Sequence, residues 1–286
     1  MRIVALSDQH GFLPDVPPCD LLIVAGDVCP DRFGPFMAVH APYQQQAWFD
    51  RTVRPWLAAT PATHKLLTWG NHDWCGQMCS FRSDTPAHAR STDLQILVDE
   101  GTTVPSDGDA GREMSVWATP WSNPFMRWAF MKRPSDLERV YAAIPESIDV
   151  LVSHQPPYGY GDSTFDLDSR RVEHVGSREL LVAIERVRPR IVICGHVHGG
   201  FGRYEHQGIP ITSASSTRAT GSCTRRRSST CRASDATWTT SVQDFALFIN
   251  SERAVIAPGA LFERGLRSRG LSVGLPAVVS PGQGGH

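Results

Sequence analysis

The stretch Ile191-Val192-Ile193-Cys194-Gly195-His196-Val197-His198 joins four consecutive apolar residues to two histidines. A short apolar run without alternation is typical of a strand buried on both faces, as occurs in a sheet that is covered on both sides. The histidines follow directly and would stand at the carboxyl end of that strand. The stretch therefore predicts a buried strand that delivers two metal-capable side chains to one edge of a sheet.

Four earlier runs have the same character and are also followed by polar residues; they span Ile3 to Leu6, Leu21 to Ala25, Leu66 to Trp69, and Val150 to Ser153. Helical patterns lie between the strands, the clearest from Ser177 to Val187, where Ser177 is a suitable N-cap. Others cover Gln44 to Val53, ending before Pro55, and Ser135 to Ala143. We expect Asp93 to Val98 and Glu113 to Ala118 to be strands of a second sheet. The pattern predicts an α/β fold.

Metal-capable side chains follow all five strands. In an open α/β sheet this edge is where ligands bind, because neighbouring parallel strands bring their following loops to one crevice. Singly, each residue has an ordinary structural explanation as a turn residue, a helix cap or a hydrogen-bonded histidine. Jointly they provide seven ligands, enough for two ions that share one carboxylate: Asp8, His10, Asp27, Asn71, His154, His196 and His198. Nitrogen and oxygen donors without thiolate suit Mn, Fe, Zn or Co.

The charge of such a site predicts its chemistry. The positive charge of two divalent ions exceeds the negative charge of two aspartates, so the site would attract an anion. Such a site could make a bridging hydroxide that attacks a phosphate ester in line. His72 follows Asn71 and would stabilise the transition state or protonate the leaving oxygen, with Asp73 fixing its orientation. We therefore expect His72 and Asp73 to be the catalytic pair.

The five motifs together resemble those of the calcineurin-like metallophosphoesterases: D-x-H at Asp8, G-D at Gly26, G-N-H-D at Gly70, His154, and G-H-x-H at Gly195. Ala118-Thr119-Pro120-Trp121 and His154 to Gly159 are further similar to metallophosphoesterase-domain-containing proteins related to class III cyclic nucleotide phosphodiesterases. The resemblance covers residues 1 to about 215. It implies a four-layer α/β/β/α sandwich and a phosphodiesterase that acts on small, cyclic nucleotide-like substrates.

The resemblance also implies a ligand assignment. The first metal would be held by Asp8, His10, Asp27 and His198, and the second by Asp27, Asn71, His154 and His196. Members of this subgroup can lose one histidine of G-H-x-H and much of their activity, whereas this chain keeps both. One departure concerns Gly26 to Arg32, which has an extra residue before Asp31 compared with G-D-x-V-D-R-G. That insertion argues against a protein phosphatase.

Composition bounds the partners and the location. The formal net charge of −1 gives no overall basic field, so nucleic acid is not an expected partner. No apolar run approaches the roughly 18 to 20 residues of a membrane helix, and the opening residues lack the features of a secretory signal. These observations predict a cytoplasmic protein without membrane contact. The sequence does not predict an oligomeric state.

The C-terminal part has a different composition. From Ser213 to Ser241, 20 of 29 residues are Ser, Thr or Arg, and such a segment buries little apolar surface. We therefore predict a metallophosphoesterase domain over 1–215 and an atypical, partly disordered extension over 216–286, with Phe245 to Ile249 as a last strand. The extension is either specific to this lineage or the product of a translated frameshift. An alternative reading frame that restores an apolar, proline-rich end would identify the frameshift.

Two other functions remain open from the sequence. A nuclease or nucleotide pyrophosphatase could use the same metals, but a nuclease would be expected to have a basic groove. A metal-binding scaffold without turnover is the alternative from a different class. The loops that follow the motifs should rim the site and offer Trp74, Tyr158 and Tyr160 as surfaces on which a base could stack.

Overall fold

The computed structural model describes residues 1–80, 94–105, 113–166, 170–215, 246–250 and 253–256. Sixteen strands lie in these ranges: β1 Arg2–Leu6, β2 Cys19–Ala25, β3 Arg32–Phe33, β4 Phe36–Met37, β5 Ala62–Thr68, β6 Leu94–Ile96, β7 Glu100–Pro105, β8 Glu113–Thr119, β9 Val150–Ser153, β10 Ser163–Asp166, β11 Arg171–His174, β12 Ile191–Cys194, β13 Gly202–His206, β14 Ile209–Ser213, β15 Ala246–Asn250 and β16 Arg253–Ile256. The helices are α1 Pro42–Trp48, α2 Arg54–Ala59, α3 Trp74–Ser80, α4 Pro134–Ala142 and α5 Arg178–Val187.

Two six-stranded sheets form the centre of the fold. The first has the order β16-β15-β1-β2-β5-β6, and the second has the order β13-β14-β12-β9-β8-β7. The inner four strands of the second sheet run parallel, as do β1, β2, β5 and β6 of the first. Each sheet thus brings the carboxyl ends of several parallel strands to one edge. β3 and β4, and β10 and β11, form two small hairpins.

Alternate residues of the central strands face two different layers. Ile3 and Ile23 of the first sheet pack with Val152 and Ile193 of the second in a cluster between the sheets. Their sequence neighbours, such as Leu22 and Val192, belong to a separate cluster that includes the helices; its helical members include Phe49, Leu57, Leu137, Tyr141, Leu180 and Ile184. Because both faces of each sheet are covered, the strands read as continuous apolar runs. The fold is the predicted α/β/β/α sandwich.

Helix α5 follows the sequence prediction closely. The Ser177 hydroxyl accepts a hydrogen bond from the Leu180 N–H at 3.1 Å, which satisfies one of the unpaired donors of the first turn. Leu180, Ala183, Ile184 and Val187 form its buried face. Arg188 ends the helix in the left-handed conformation, and its N–H donates to the Ile184 carbonyl.

The predicted end of a helix before Pro55 is wrong. The chain continues from α1 through a π-helical turn, Phe49–Val53, into α2, which contains the proline. The Arg54 N–H donates to the Phe49 carbonyl in this wider turn. We attribute the continuation to the π turn, because such turns let a helix pass a residue that has no N–H and crowds the preceding turn.

Two further expectations concern strands. β6 was expected in the second sheet, but it pairs in parallel with β5 of the first sheet; its three residues are too few for alternation to distinguish the two sheets. β15 lies where a last strand was predicted and pairs antiparallel with β1. It comes from beyond residue 215, and the domain boundary at that residue stays a prediction. No helix in the described ranges is long and apolar enough to cross a membrane.

Candidate metal centre

The loops after five parallel strands bring the predicted ligands together. The Asp8 N–H donates to the Gly26 carbonyl at 3.0 Å, and the His10 N–H donates to the Asp27 carbonyl at 2.9 Å, so the first two loops are held side by side. Asp8, His10, Asp27 and His196 all have positive φ, between 45° and 72°. This conformation is costly for residues other than glycine and clusters at functional sites.

Glycines let these loops approach one another closely. A Cβ atom on Gly70 would lie 2.3 Å from Oδ1 of Asp27, and one on Gly195 would lie 1.9 Å from the Ser7 hydroxyl. Any larger residue would therefore push the ligand loops apart. This explains why glycine precedes Asn71 and His196 in the sequence.

One group of donors consists of Asp8, His10 and His198, whose ligand atoms lie within 4.8 Å of one another. The two imidazole Nε2 atoms of His10 and His198 face each other at 3.3 Å. The Asp8 carboxylate also accepts the backbone N–H of His196 at 2.8 Å, which ties this group to the loop after β12.

A second group consists of Asp27, His154 and His196, again within 4.8 Å. Oδ1 of Asn71 lies 2.9 Å from Nε2 of His154 and 2.7 Å from Nδ1 of His196. Nδ1 of His154 lies 2.9 Å from the Ala25 carbonyl, to which only a protonated nitrogen can donate. That hydrogen bond leaves Nε2 of neutral His154 with a free lone pair for a metal.

The two donor groups fit a pair of divalent cations. Each combines carboxylate oxygen with imidazole nitrogen, as the predicted set of seven requires, and nitrogen and oxygen ligands are those of Mn, Fe, Zn and Co. The Nε2 atoms of His10 and His198 face each other at 3.3 Å, where two lone pairs would repel unless a proton or a cation lies between them. The structure therefore brings all seven predicted ligands to one place.

The pKa values of the histidines in the site are shifted in both directions. Burial lowers the pKa of His10, but the hydrogen bond with Asp31 and the charge of Asp27 outweigh it and raise the pKa to about 9. Burial also lowers the pKa of His154, but the charge of Asp27 and the hydrogen bond with it outweigh burial and raise the pKa to about 9. For His196, burial and the charge of His154 lower the pKa to about 4. The carboxylates thus stabilise positive charge on His10 and His154.

The carboxylate that contacts His72 is Asp31. Oδ1 of Asp31 lies 2.6 Å from Nδ1 of His72 and 3.1 Å from Nδ1 of His10. Burial raises the pKa of Asp31, but hydrogen bonds with both histidines outweigh this and hold the pKa well below its usual range. Burial lowers the pKa of His72, and the charge of Asp27 with the Asp31 hydrogen bond raises it overall.

The expected orientation of His72 by Asp73 is therefore wrong. The Asp73 side chain is fully buried and accepts three backbone N–H groups, from Asp27 at 2.8 Å, Gly70 at 2.9 Å and Cys29 at 3.0 Å. Burial and the charge of Asp27 raise the pKa of Asp73 to about 6. Asp73 joins the second and third ligand loops instead of touching the His72 ring.

A cavity of about 700 Å³ is lined in part by the predicted metal ligands. Its lining includes polar residues of the predicted site and a set of further residues: Asp27, Asn71, His72, His196 and His198, together with Asn123, Phe125, Trp128, Gln155, Phe165 and Val175. The Trp128 ring stacks on the His72 ring, with 4.1 Å between centroids and 30° between planes.

The three aromatic residues predicted to contact substrate lie elsewhere. Trp74 packs against the core cluster that includes the helices. The Arg178 guanidinium covers the Tyr158 ring at 3.6 Å, and the Tyr160 hydroxyl lies 2.8 Å from Nδ1 of His206. None of the three is among the described residues that line the cavity. Proximity to a motif in sequence did not predict the direction of these side chains.

Sequence reasoning missed two residues that contact His72. The sequence offered a sign of the role of Asp31, because this residue lies in the segment that begins with Gly26-Asp27. From the sequence, the extra residue before Asp31 argued only against a protein phosphatase. Trp128 had no signal of this kind, since it lies on the loop between β8 and α4, far in sequence from any motif.

Comparison with known proteins agrees with this architecture. The family model described as calcineurin-like phosphoesterase matches residues 1–200. The human metallophosphoesterase domain-containing protein 1 is 26% identical over 224 residues, which are 70% of this chain and 61% of that protein. UPF0046 protein T07D4.2 of Caenorhabditis elegans is also 26% identical, over 71% of this chain and 52% of that protein.

The chain thus spans about half to three fifths of the length of these two relatives. A solved crystal structure with 15% sequence identity shares the fold, with a TM-score of 0.51 over 76% of this chain and 91% of the other. The family match covers more than half of the chain and all seven metal-capable side chains. With the paired sheets and the two donor groups at their common edge, it establishes that the chain belongs to the calcineurin-like phosphoesterase family.

Proposed function

We propose that this protein is a dinuclear metal-dependent phosphodiesterase. One metal would be held by Asp8, His10, Asp27 and His198, and the other by Asp27, Asn71, His154 and His196. When bound, two such ions lower the pKa of a coordinated water and neutralise phosphate oxygens during in-line attack. The observation that carries the proposal is the presence of two adjacent donor groups beside one open cavity.

His72 is the proposed general acid. Its backbone N–H donates to Oδ1 of Asp27 at 2.7 Å, which fixes the residue beside the ligands. Its ring is held between the Asp31 carboxylate and the Trp128 ring. Asp31 accepts from Nδ1 and so favours a proton on both ring nitrogens, which leaves the proton on Nε2 for the departing oxygen.

The lining of the cavity favours a diester over the alternatives. The described residues that line it include no lysine or arginine. A nucleotide pyrophosphatase or a nuclease must balance several phosphates, for which cationic side chains are the usual partners. A phosphodiester carries one negative charge, which the metal centre alone can balance.

Small nucleotides, including cyclic nucleotides, are the proposed substrates, and the cytoplasm is the proposed location. The first proposal is supported by the size of the cavity, which suits one small ligand. The second is supported by the described cysteines Cys19, Cys29, Cys75 and Cys194, which are all free thiols, as is usual in a reducing compartment.

Hydrolysis of bis-p-nitrophenyl phosphate and p-nitrophenyl phosphate by metal-free protein with added Mn²⁺ tests the proposal. We expect manganese-dependent cleavage, with the diester preferred, and loss of at least 100-fold in kcat in Asn71→Ala. The control is Asn123→Ala, which removes an amide of the same cavity outside the donor groups. Folded protein that binds Mn, Fe, Zn or Co without cleaving either ester would instead establish the metal-binding scaffold.

A further inference from the structure

The lining of the cavity contains two chemically different sets of side chains. One set carries carboxylate, amide and imidazole groups, and the other set, Phe125, Trp128, Phe165 and Val175, supplies aromatic and aliphatic surface. Because both sets line the same cavity, one molecule can contact both.

Two of the aromatic rings are exposed to an extent that is unusual for phenylalanine. Phe125 is 63% exposed and Phe165 is 58% exposed. They come from separate segments, since Phe125 follows β8 and Phe165 lies on β10. Large apolar side chains that are exposed around a concave site mark ligand-binding surfaces.

The third ring is fixed rather than exposed. Trp128 is half-buried and stacks on His72 at 4.1 Å. The aromatic surface therefore includes a ring in direct contact with the proposed general acid.

From this arrangement we infer that Phe125, Trp128 and Phe165 bind a planar aromatic ester group of the substrate while its phosphate lies on the metal centre. This inference rests on the proposed function and narrows its substrate class to diesters in which one ester group carries an aryl or heteroaryl ring. Aromatic side chains stack on any flat π system, and the described lining offers no cation that would select a second phosphate.

Phosphonates that are not hydrolysed test the inference without turnover. Benzylphosphonate places a ring at the distance of a phenyl ester, because a methylene replaces the ester oxygen. Cyclohexylmethylphosphonate has a ring of similar size that is not planar, and ethylphosphonate has no ring. Dissociation constants are measured by isothermal titration calorimetry on the full chain loaded with Mn²⁺.

We expect benzylphosphonate to bind about tenfold more tightly than ethylphosphonate and about threefold more tightly than cyclohexylmethylphosphonate. Phe125→Ala and Phe165→Ala should each remove most of the benzyl preference and leave the affinity for ethylphosphonate unchanged. Tyr43→Ala is the matched control, since Tyr43 is 68% exposed but is not among the described lining residues.

The outcomes separate the two proposals. Equal affinity for the benzyl and ethyl compounds, or an equal loss of both in the phenylalanine variants, would overturn the aromatic inference and leave the phosphodiesterase untouched. A benzyl preference in a protein that does not cleave bis-p-nitrophenyl phosphate would support the aromatic site and overturn the proposed hydrolysis.

Discussion

Asp31 and His72 are in direct contact in the candidate site, with 2.6 Å between Oδ1 of Asp31 and Nδ1 of His72. The same oxygen lies 3.1 Å from Nδ1 of His10. One carboxylate therefore orients both the proposed general acid and a proposed metal ligand. We therefore expect Asp31 to affect both catalysis and metal affinity.

Replacement of Asp31 should separate these two effects. In Asp31→Asn the acceptor keeps its shape but loses its charge, so the proton on His72 is held less firmly. We expect kcat at saturating Mn²⁺ to fall about 10- to 100-fold with an alkyl diester, whose leaving oxygen needs a proton, and the affinity for Mn²⁺ to fall about tenfold. Both are measured by titrating the metal in the diesterase assay, with Asp50→Asn on the exposed face of the α1–α2 segment as control. Unchanged kcat would remove Asp31 from the mechanism.

His72 should matter most when the leaving group is poor. In His72→Gln we expect little loss, less than tenfold, with p-nitrophenyl esters, whose leaving oxygen needs no proton, and a loss of about 100-fold or more with alkyl esters. Steady-state kinetics on a series of diesters that differ in leaving-group pKa measures this difference. A uniform loss across the series would contradict a role as general acid.

Much of the site could be predicted because its parts are local in sequence. Each ligand stands just after an apolar run, as Asp27 does after β2 and His154 does after β9, and the topology of parallel strands brings such positions together. Trp128 could not be predicted in this way, because its approach to His72 depends on the path of an irregular loop. The roles of Asp73 and Asp31 depend on side-chain direction, which spacing does not determine.

The same distinction applies to the fold. Short, continuous apolar runs predicted the central strands because both faces of each sheet are covered. The placement of β6 depends on pairing with β5 rather than on its own three residues. The passage of the helix through Pro55 depends on the π turn before it, and no residue in the sequence marks that turn.

Asp73 should be important for stability rather than for the chemical step. Its carboxylate accepts three backbone N–H groups in a fully buried position. An asparagine would direct its NH₂ group at one or two of these donors, so we expect Asp73→Asn to lower the free energy of unfolding by about 2 to 3 kcal/mol. Urea unfolding measures the change, with Asp50→Asn as control. An unchanged midpoint would show that the loops do not need this carboxylate.

Replacement of Ile23 tests the packing between the two sheets. Its side chain is 1% exposed and packs in the cluster that β1, β9 and β12 share with β2. Ile23→Ala should lower the free energy of unfolding by about 3 kcal/mol, because the rigid sheets cannot close the cavity that it leaves. Val182→Ala is the control, since Val182 is exposed on α5 and its replacement should not move the unfolding midpoint. Equal effects in the two variants would contradict the layered packing.

Removal of the metals should destabilise the protein by mass action. Ions that bind only the folded chain add about 2.7 kcal/mol of stability per site at a free concentration 100 times the dissociation constant. We therefore expect chelation to lower the midpoint of thermal unfolding by several degrees and Mn²⁺ to restore it.

His198→Ala, which removes one side chain of the first donor group, should keep the shift caused by the second group and lose part of the total. Gln207→Ala is the control, because Gln207 is exposed and hydrogen-bonded to Glu185, outside both groups. A midpoint that does not respond to chelation in metal-loaded wild-type protein would contradict the assignment of the seven ligands, whatever the protein hydrolyses.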